Sequence, residues 1–248
     1  KSANVSGRQV MLEAGLGVGE AAGTVEIPVD ILPSELTDAQ KIALATAERS
    51  DFMATDGSVV RIGARRALNF DASEKLDVAV AAATGHAYLA SLGDALLGTV
   101  TVPGELRLKV RGSIVNASPG APAVAAGSYI LEASGGGIGY SYDLDGALVP
   151  GTLRIRPVNT GGTPGAYAGT IIARAAQDID IHVEGEDGDA ETGDANVDTI
   201  YSRADVKLVA DGSIRNANAD DLINILADEV SLQALGGVIG TAADRLNV

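Results

Sequence analysis

An acidic segment late in the chain offers the most concentrated set of metal ligands. Residues 184–194 read EGEDGDAETGD, almost entirely carboxylates and glycine. The carboxylates of Asp187, Asp189, Glu191 and Asp194 could bind Ca²⁺, which takes six to eight oxygen ligands. The segment lacks the glycine and the closing glutamate of an EF-hand loop, so a solvated acidic turn is the alternative. Ca²⁺ is the only cofactor that the sequence suggests.

Two tyrosines form a second candidate site. Tyr140 and Tyr142 stand at alternate positions of a strand-like run, so they share one face of that strand. Exposed tyrosine rings can stack on sugars, which predicts cell-surface glycans or a matrix polysaccharide as partners. The alternative is aromatic packing over a turn.

No catalytic residue is predicted, and the expectation is a protein that is not an enzyme. Asp143 and Asp145 lie together, but paired acids at turns usually shape the turn. His86 and His182 are lone histidines in strand-like runs, which predicts packed or surface side chains rather than ligands. A polysaccharide-acting β-helix lyase or hydrolase and a Ca²⁺-dependent carbohydrate-binding module are kept as alternatives.

The elements that position these residues are internally repeated. Residues 93–117 recur without a gap at 193–217, with ten of 25 positions identical. Such self-similarity indicates duplication. We expect repeats at about 67–166 and 167–248 and a partial repeat at 1–66, so that residues 1–248 form a single segment of a longer repetitive protein.

Short β-branched runs separated by Gly and Asp indicate an all-β protein. Residues 106–111 (LRLKVR) alternate apolar and charged side chains, as in a half-buried strand. Such a chain could form a sandwich or a barrel. Repeats of unequal strand–turn segments favour instead a parallel β-solenoid, whose coils differ in length at their turns. Leu108 and its repeat counterpart Leu208 are predicted to point into the core.

One segment departs from the strand pattern. Residues 36–49 (LTDAQKIALATAER) predict a short α-helix, with Thr37 and Gln40 in the positions of a capping box. We expect this helix to decorate the β-helix and to pack on its wall.

Composition restricts the partners. The net charge of −15 would repel nucleic acid and anionic membrane surfaces. No apolar run approaches the roughly 20 residues of a membrane span, so membrane insertion is not expected. The chain has no cysteine, which excludes disulfides, cysteine-ligated zinc and thiol catalysis.

The repeated motifs resemble those of a known family. These are Gly-Ser-Ile-x-Asn-Ala at 212–217, Leu-x-Ala-x-Gly-Gly-x-Ile-Gly at 232–240, and an ending with Ala243, Asp244, Leu246 and Val248. They are similar to repeats of giant bacterial exoproteins, the filamentous-haemagglutinin-like adhesins and LEPR-XLL type surface proteins. The resemblance implies a right-handed β-helix, secretion or display on the bacterial cell surface, and a structural role in adhesion or biofilm. The implied partners are neighbouring repeats, and no catalytic residues are implied.

Overall fold

The fold is known from a computed structural model. It describes residues 3–48, 51–53, 57–117, 124–158, 169–185, 193–218, 222–242 and 245–248. The chain divides into two compact units. The first contains Lys1–Val18 and Leu68–Val248, and the second is Gly19–Ala67.

The described residues form strands throughout, with one α-helix and one turn of 3₁₀ helix (Pro33–Glu35). In chain order the elements are β1 (Val5–Ala14), β2 (Gly17–Val18), β3 (Glu20–Pro28), α1 (Asp38–Thr46), β4 (Phe52–Met53), β5 (Val59–Arg66), β6 (Leu68–Val80), β7 (His86–Ser91), β8 (Ala95–Val110), β9 (Ile114–Asn116), β10 (Val124–Ala133), β11 (Ile138–Tyr142), β12 (Leu148–Pro150), β13 (Leu153–Pro157), β14 (Ile171–Ala175), β15 (Ile179–Val183), β16 (Ala195–Ser202), β17 (Val206–Ala210), β18 (Ile214–Asn216), β19 (Ile225–Leu226) and β20 (Val230–Ala234). No helix in this part of the chain is long and apolar enough to span a bilayer.

The first unit is a large sheet whose strands pair almost entirely in parallel. Alternation along each strand decides which side chains enter the core. In β17, Val206, Leu208 and Ala210 are buried while Lys207 is exposed, the period of two that a strand imposes. Leu108 and Leu208 are both fully buried, so their predicted position in the core is confirmed.

Register aligns these buried residues from strand to strand. Leu208 lies opposite Ile181 of β15 on one side and Leu232 of β20 on the other. Ile181 in turn lies opposite Leu153 of β13. The core is therefore built from rows of aliphatic side chains that cross the strands.

The predicted right-handed parallel β-helix is wrong. Six parallel strands form a closed barrel, in the order β8, β9, β11, β15, β13, β10 and back to β8. The other strands of the sheet lie outside this barrel. The prediction that the chain is a solenoid of repeats is therefore wrong as well.

The barrel closes because long strands pair with different neighbours along different parts of their length. β8 is 16 residues long. It pairs with β9 through Ala95–Leu97 and with β10 through 101–110. β10 likewise pairs with both β13 and β14. One strand thus joins two neighbours at different points, which the alternation of side chains along a sequence does not reveal.

The second unit is a small antiparallel sheet in the order β3, β5, β4 with helix α1. The predicted capping box is confirmed. The Gln40 N–H donates to Thr37 Oγ1 at 3.3 Å, and the Thr37 N–H donates to Gln40 Oε1 at 2.9 Å. The helix was predicted to lie on the wall of a β-helix; its buried residue Ala43 instead packs with Ile27 and Ile62 of the small sheet.

Replacing Leu208 by alanine tests the aliphatic rows. We expect Leu208→Ala to lower the free energy of unfolding by about 2–5 kcal/mol, since truncation removes buried methyl groups and leaves a cavity. Denaturant unfolding followed by circular dichroism measures this loss. Leu144→Ala is the matched control, because the Leu144 side chain is fully exposed. Equal stability of the two variants would contradict the assignment of Leu208 to the core.

Candidate functional site

The residues shared by 93–117 and 193–217 make the same backbone contact twice. The Ser113 N–H donates to Asp94 Oδ1 at 2.7 Å, and the Ser213 N–H donates to Asp194 Oδ1 at 2.6 Å. In each copy the aspartate and the serine lie in turns that precede neighbouring strands. The carboxylate thus supplies the acceptor that a turn N–H needs.

Each of these serines also accepts a hydrogen bond from the next turn along the sheet. The Gly137 N–H donates to Ser113 Oγ at 3.2 Å, and the Val238 N–H donates to Ser213 Oγ at 3.3 Å. In both copies, the hydrogen bonds from the serine N–H to the aspartate and from a further backbone N–H to the serine Oγ therefore connect three turns. We call these two sets the duplicated turn contacts.

Glycine is required beside these serines. A Cβ added at Gly136 would lie 2.2 Å from Ser113 Oγ, and a Cβ added at Gly237 would lie 2.2 Å from Ser213 Oγ. Neither distance is compatible with a non-bonded carbon–oxygen contact. The glycine pairs of the repeated Gly-Gly motifs thus leave room for the serine hydroxyls.

The second carboxylate oxygen of each aspartate has its own partner. Asp94 Oδ2 accepts from the Tyr142 hydroxyl at 3.0 Å, and Asp194 Oδ2 accepts from Arg215 Nε at 2.8 Å. Asp194, the last residue of the predicted calcium set, therefore binds a turn amide and a guanidinium. Asp187, Asp189 and Glu191 lie outside the described residues. Among the residues that are described, no three carboxylate, histidine or cysteine side chains form a group that could hold a metal.

Tyr140 and Tyr142 share a face of β11, as their spacing predicts, but neither ring is free. Tyr140 is 9 % exposed and packs with Leu96 and Val115, and Tyr142 packs against the same cluster. Burial and the hydrogen bond to Asp94 raise the pKa of the Tyr142 hydroxyl. Both rings thus pack against aliphatic side chains of β8 and β9; sugar stacking at these rings stays a prediction.

The isolated histidines and the paired acids also have partners within the fold. The His182 Nε2 lies 2.8 Å from Asp211 Oδ1, and the His86 ring stacks on Tyr88 with 4.3 Å between ring centroids. Asp143 Oδ1 accepts from the N–H groups of Asp145 and Ala147. This carboxylate closes the turn between the antiparallel strands β11 and β12.

A small cleft beside Tyr140 was not predicted from the sequence. Its volume is about 180 Å³, and its polar lining consists of Tyr140, Asp178, Asp180, Asp205 and Lys207. Lys207 Nζ lies 2.9 Å from Asp180 Oδ2. The Asp205 N–H donates to Asp178 Oδ1 at 3.3 Å. Burial and the nearby Asp178 carboxylate raise the pKa of Tyr140.

One carboxylate oxygen of Asp180, a lining residue of this cleft, lacks a hydrogen bond. Its Oδ1 is buried and has no hydrogen-bond partner in the protein. Buried carboxylate oxygens normally accept at least one hydrogen bond. Asp180 and Lys207 lie opposite each other in the β15–β17 register, a pairing of residues 27 positions apart that could be found only once the register was known.

Comparison with known proteins adds no relative: no family model, no curated protein and no solved structure matches the chain.

The glycine requirement gives a direct test of the duplicated turn contacts. We expect Gly136→Ala to lower the free energy of unfolding by about 1–3 kcal/mol, because the added methyl group overpacks the turn against Ser113 Oγ. Gly93→Ala in the same region is the control, since a Cβ there meets nothing within 4 Å. Thermal and denaturant unfolding would measure both. Similar losses for the two variants would show that crowding at Ser113 is not the cause.

Burial of the Tyr142 hydroxyl and its hydrogen bond to Asp94 predict a pH dependence of stability. Because the folded pKa of Tyr142 lies above its ordinary value of 10.0, the stabilisation is complete below pH 10.0 and declines as pH rises towards the folded pKa. We expect Tyr142→Phe to reduce this alkaline decline in unfolding free energy. Tyr201→Phe, on a more exposed ring, is the matched control. An unchanged alkaline slope in Tyr142→Phe would contradict the prediction.

Proposed function

We propose that this chain is a non-enzymatic structural segment of a bacterial cell-surface or secreted protein that takes part in adhesion or in a biofilm matrix. The proposal rests on the residues that are identical in the two copies of the repeat and on the contacts that they make. Asp94, Ser113 and their counterparts Asp194 and Ser213 make the same turn contacts in both copies. The repeated residues thus build the sheet, whereas a duplicated active site would repeat residues around a cleft.

Other polar side chains of the first unit support the same role. Tyr142 donates to Asp94, and His182 pairs with Asp211. Arg154 pairs with Glu184, which raises the pKa of the guanidinium. These partners are on neighbouring strands or turns, so their charges and hydrogen bonds stabilise strand pairing.

The cellular setting rests on sequence resemblance. The motifs at 212–217 and 232–240 are similar to repeats of filamentous-haemagglutinin-like exoproteins, which act outside the cell. The net charge of −15 favours solubility. Neighbouring segments of the same polypeptide and extracellular glycans are the partners that this setting provides.

A second candidate function is the binding of a glycan or another polyhydroxyl compound in the cleft beside Tyr140. The carboxylates of Asp178, Asp180 and Asp205 on its lining favour it, because carboxylates accept hydrogen bonds from ligand hydroxyls. Tyr140 supplies a hydroxyl, and Lys207 a cation, on the same lining.

Turnover of polysaccharides separates the structural role from an enzymatic one. The purified chain is incubated with neutral and anionic polysaccharides, and new reducing ends and unsaturated uronates are measured. We expect no product beyond that formed with heat-denatured protein. Product formation that is lost in Asp180→Asn but retained in Asp71→Asn, a change at an exposed strand position, would contradict the structural proposal and identify the cleft as catalytic.

Binding without turnover tests the second candidate. The same polysaccharides are titrated into the wild-type chain and the Asp180→Asn variant by calorimetry. A saturable signal that Asp180→Asn weakens at least severalfold, with Asp71→Asn unchanged, would support a binding cleft. Equal signals in all three proteins would exclude the cleft as the binding site.

A further inference from the structure

Two strands of the first unit leave one side available for pairing. β1 pairs with β6, and β20 pairs with β17; the described residues supply no strand for the opposite side of either. Both strands direct the same three residue types towards the core, Val10, Leu12 and Ala14 in β1, and Val230, Leu232 and Ala234 in β20. An unpaired strand side presents N–H and C=O groups that can pair with another chain.

The side chains of β20 are only half covered. Val230, Leu232 and Ala234 are partly buried, in contrast to the fully buried Leu208 opposite Leu232. An open apolar cleft of about 490 Å³ adjoins them, and Leu232, Ile239, Leu246 and Val248 are part of its lining. The core is therefore accessible at this edge.

The first copy of the repeat shows what covers such an edge. Residues 131–133 of β10 are the counterpart of 232–234 in β20. In β10 the outer side is paired in parallel with β14, so that Leu131 lies opposite Ala173, and Leu131 is 1 % exposed. A parallel strand with aliphatic residues is thus the partner that this position accepts.

Strand β17 carries the same three core-facing residue types as β1 and β20. The Val-Leu-Ala set of β20 already lies in register on the Val-Leu-Ala set of β17, with Val206 opposite Val230, Leu208 opposite Leu232 and Ala210 opposite Ala234. A third strand with the same three residues can extend these rows without a change in side-chain volume, and β1 carries them.

We propose that β1 of a second copy of this chain pairs in parallel with β20, with Leu12 opposite Leu232. Side-chain alternation fixes this register, because a slip by one residue would turn Met11 and Glu13 towards the apolar rows. A slip by two residues would place Val10 opposite Asp228 or Arg8 opposite Val230. The proposed register brings Glu13 opposite the neutral Gln233, so no like charges face each other.

This contact joins two different surfaces of identical chains. Such head-to-tail contacts form open linear assemblies unless the rotation closes a ring. The inference depends on the two strand sides alone. Turnover or glycan binding at the cleft would overturn or modify the proposed function and leave the pairing unaffected.

Disulfide cross-linking between single-cysteine variants tests the register. The natural chain has no cysteine, and Met11 and Ser231 are exposed positions that face each other in the proposed pair. Paired Cα atoms in adjacent strands lie about 5 Å apart, within the range of a disulfide. Met11→Cys and Ser231→Cys are mixed in equal amounts and oxidised mildly. Leu144→Cys, at a fully exposed turn position, replaces Met11→Cys in the matched control.

We expect several-fold more of the mixed dimer from Met11→Cys with Ser231→Cys than from the control mixture. Sedimentation of the unmodified chain is expected to show an average mass that rises with concentration. Circular dichroism of each variant establishes that it is folded. Equal cross-linking in both mixtures overturns the proposal even if the chain associates, because association would then use another surface. A constant monomer mass at the highest attainable concentration overturns it as well.

Discussion

The in-register stacking of aliphatic side chains across parallel strands is the interaction on which the first unit depends. With 3 % aromatic residues and no cysteine, the chain has few other means of filling a core. Rows such as Leu153, Ile181, Leu208 and Leu232 remove apolar area from water, which contributes about 25 cal/mol for each Å² buried. Every strand must keep its register, because a slip by one residue would expose a whole row.

The duplicated turn contacts meet a second requirement, which is to satisfy backbone groups between the strands. An unpaired buried N–H costs about 1–3 kcal/mol. Asp94 and Asp194 accept the N–H groups of Ser113 and Ser213, and the serine hydroxyls accept from the following turn. This use of conspicuous polar residues explains why they recur at a spacing of 100 positions, and it is the basis of the proposed structural role.

Alternation and duplication predicted the strands and the inward positions of Leu108 and Leu208, and the spacing of Thr37 and Gln40 predicted the capping box. They did not predict that β8 pairs with β9 at one end and β10 at the other, because lateral pairing depends on strand length and bending. The closed barrel was therefore missed. The cleft was missed for a related reason, since Asp180 and Lys207 meet only through the β15–β17 register. The predicted calcium ligands Asp187, Asp189 and Glu191 lie outside the described residues.

Native-state hydrogen exchange at single-residue resolution tests most directly whether the duplicated turn contacts are integral to the sheet. The account predicts that the amide hydrogens of Ser113 and Ser213 exchange as slowly as that of Leu208, because all three open only when the sheet unfolds. Exchange of both serine amides at the rate of exposed turns, with Leu208 still protected, would contradict it. That result would show that the repeated Asp and Ser residues do not hold the strands together and were retained for another purpose.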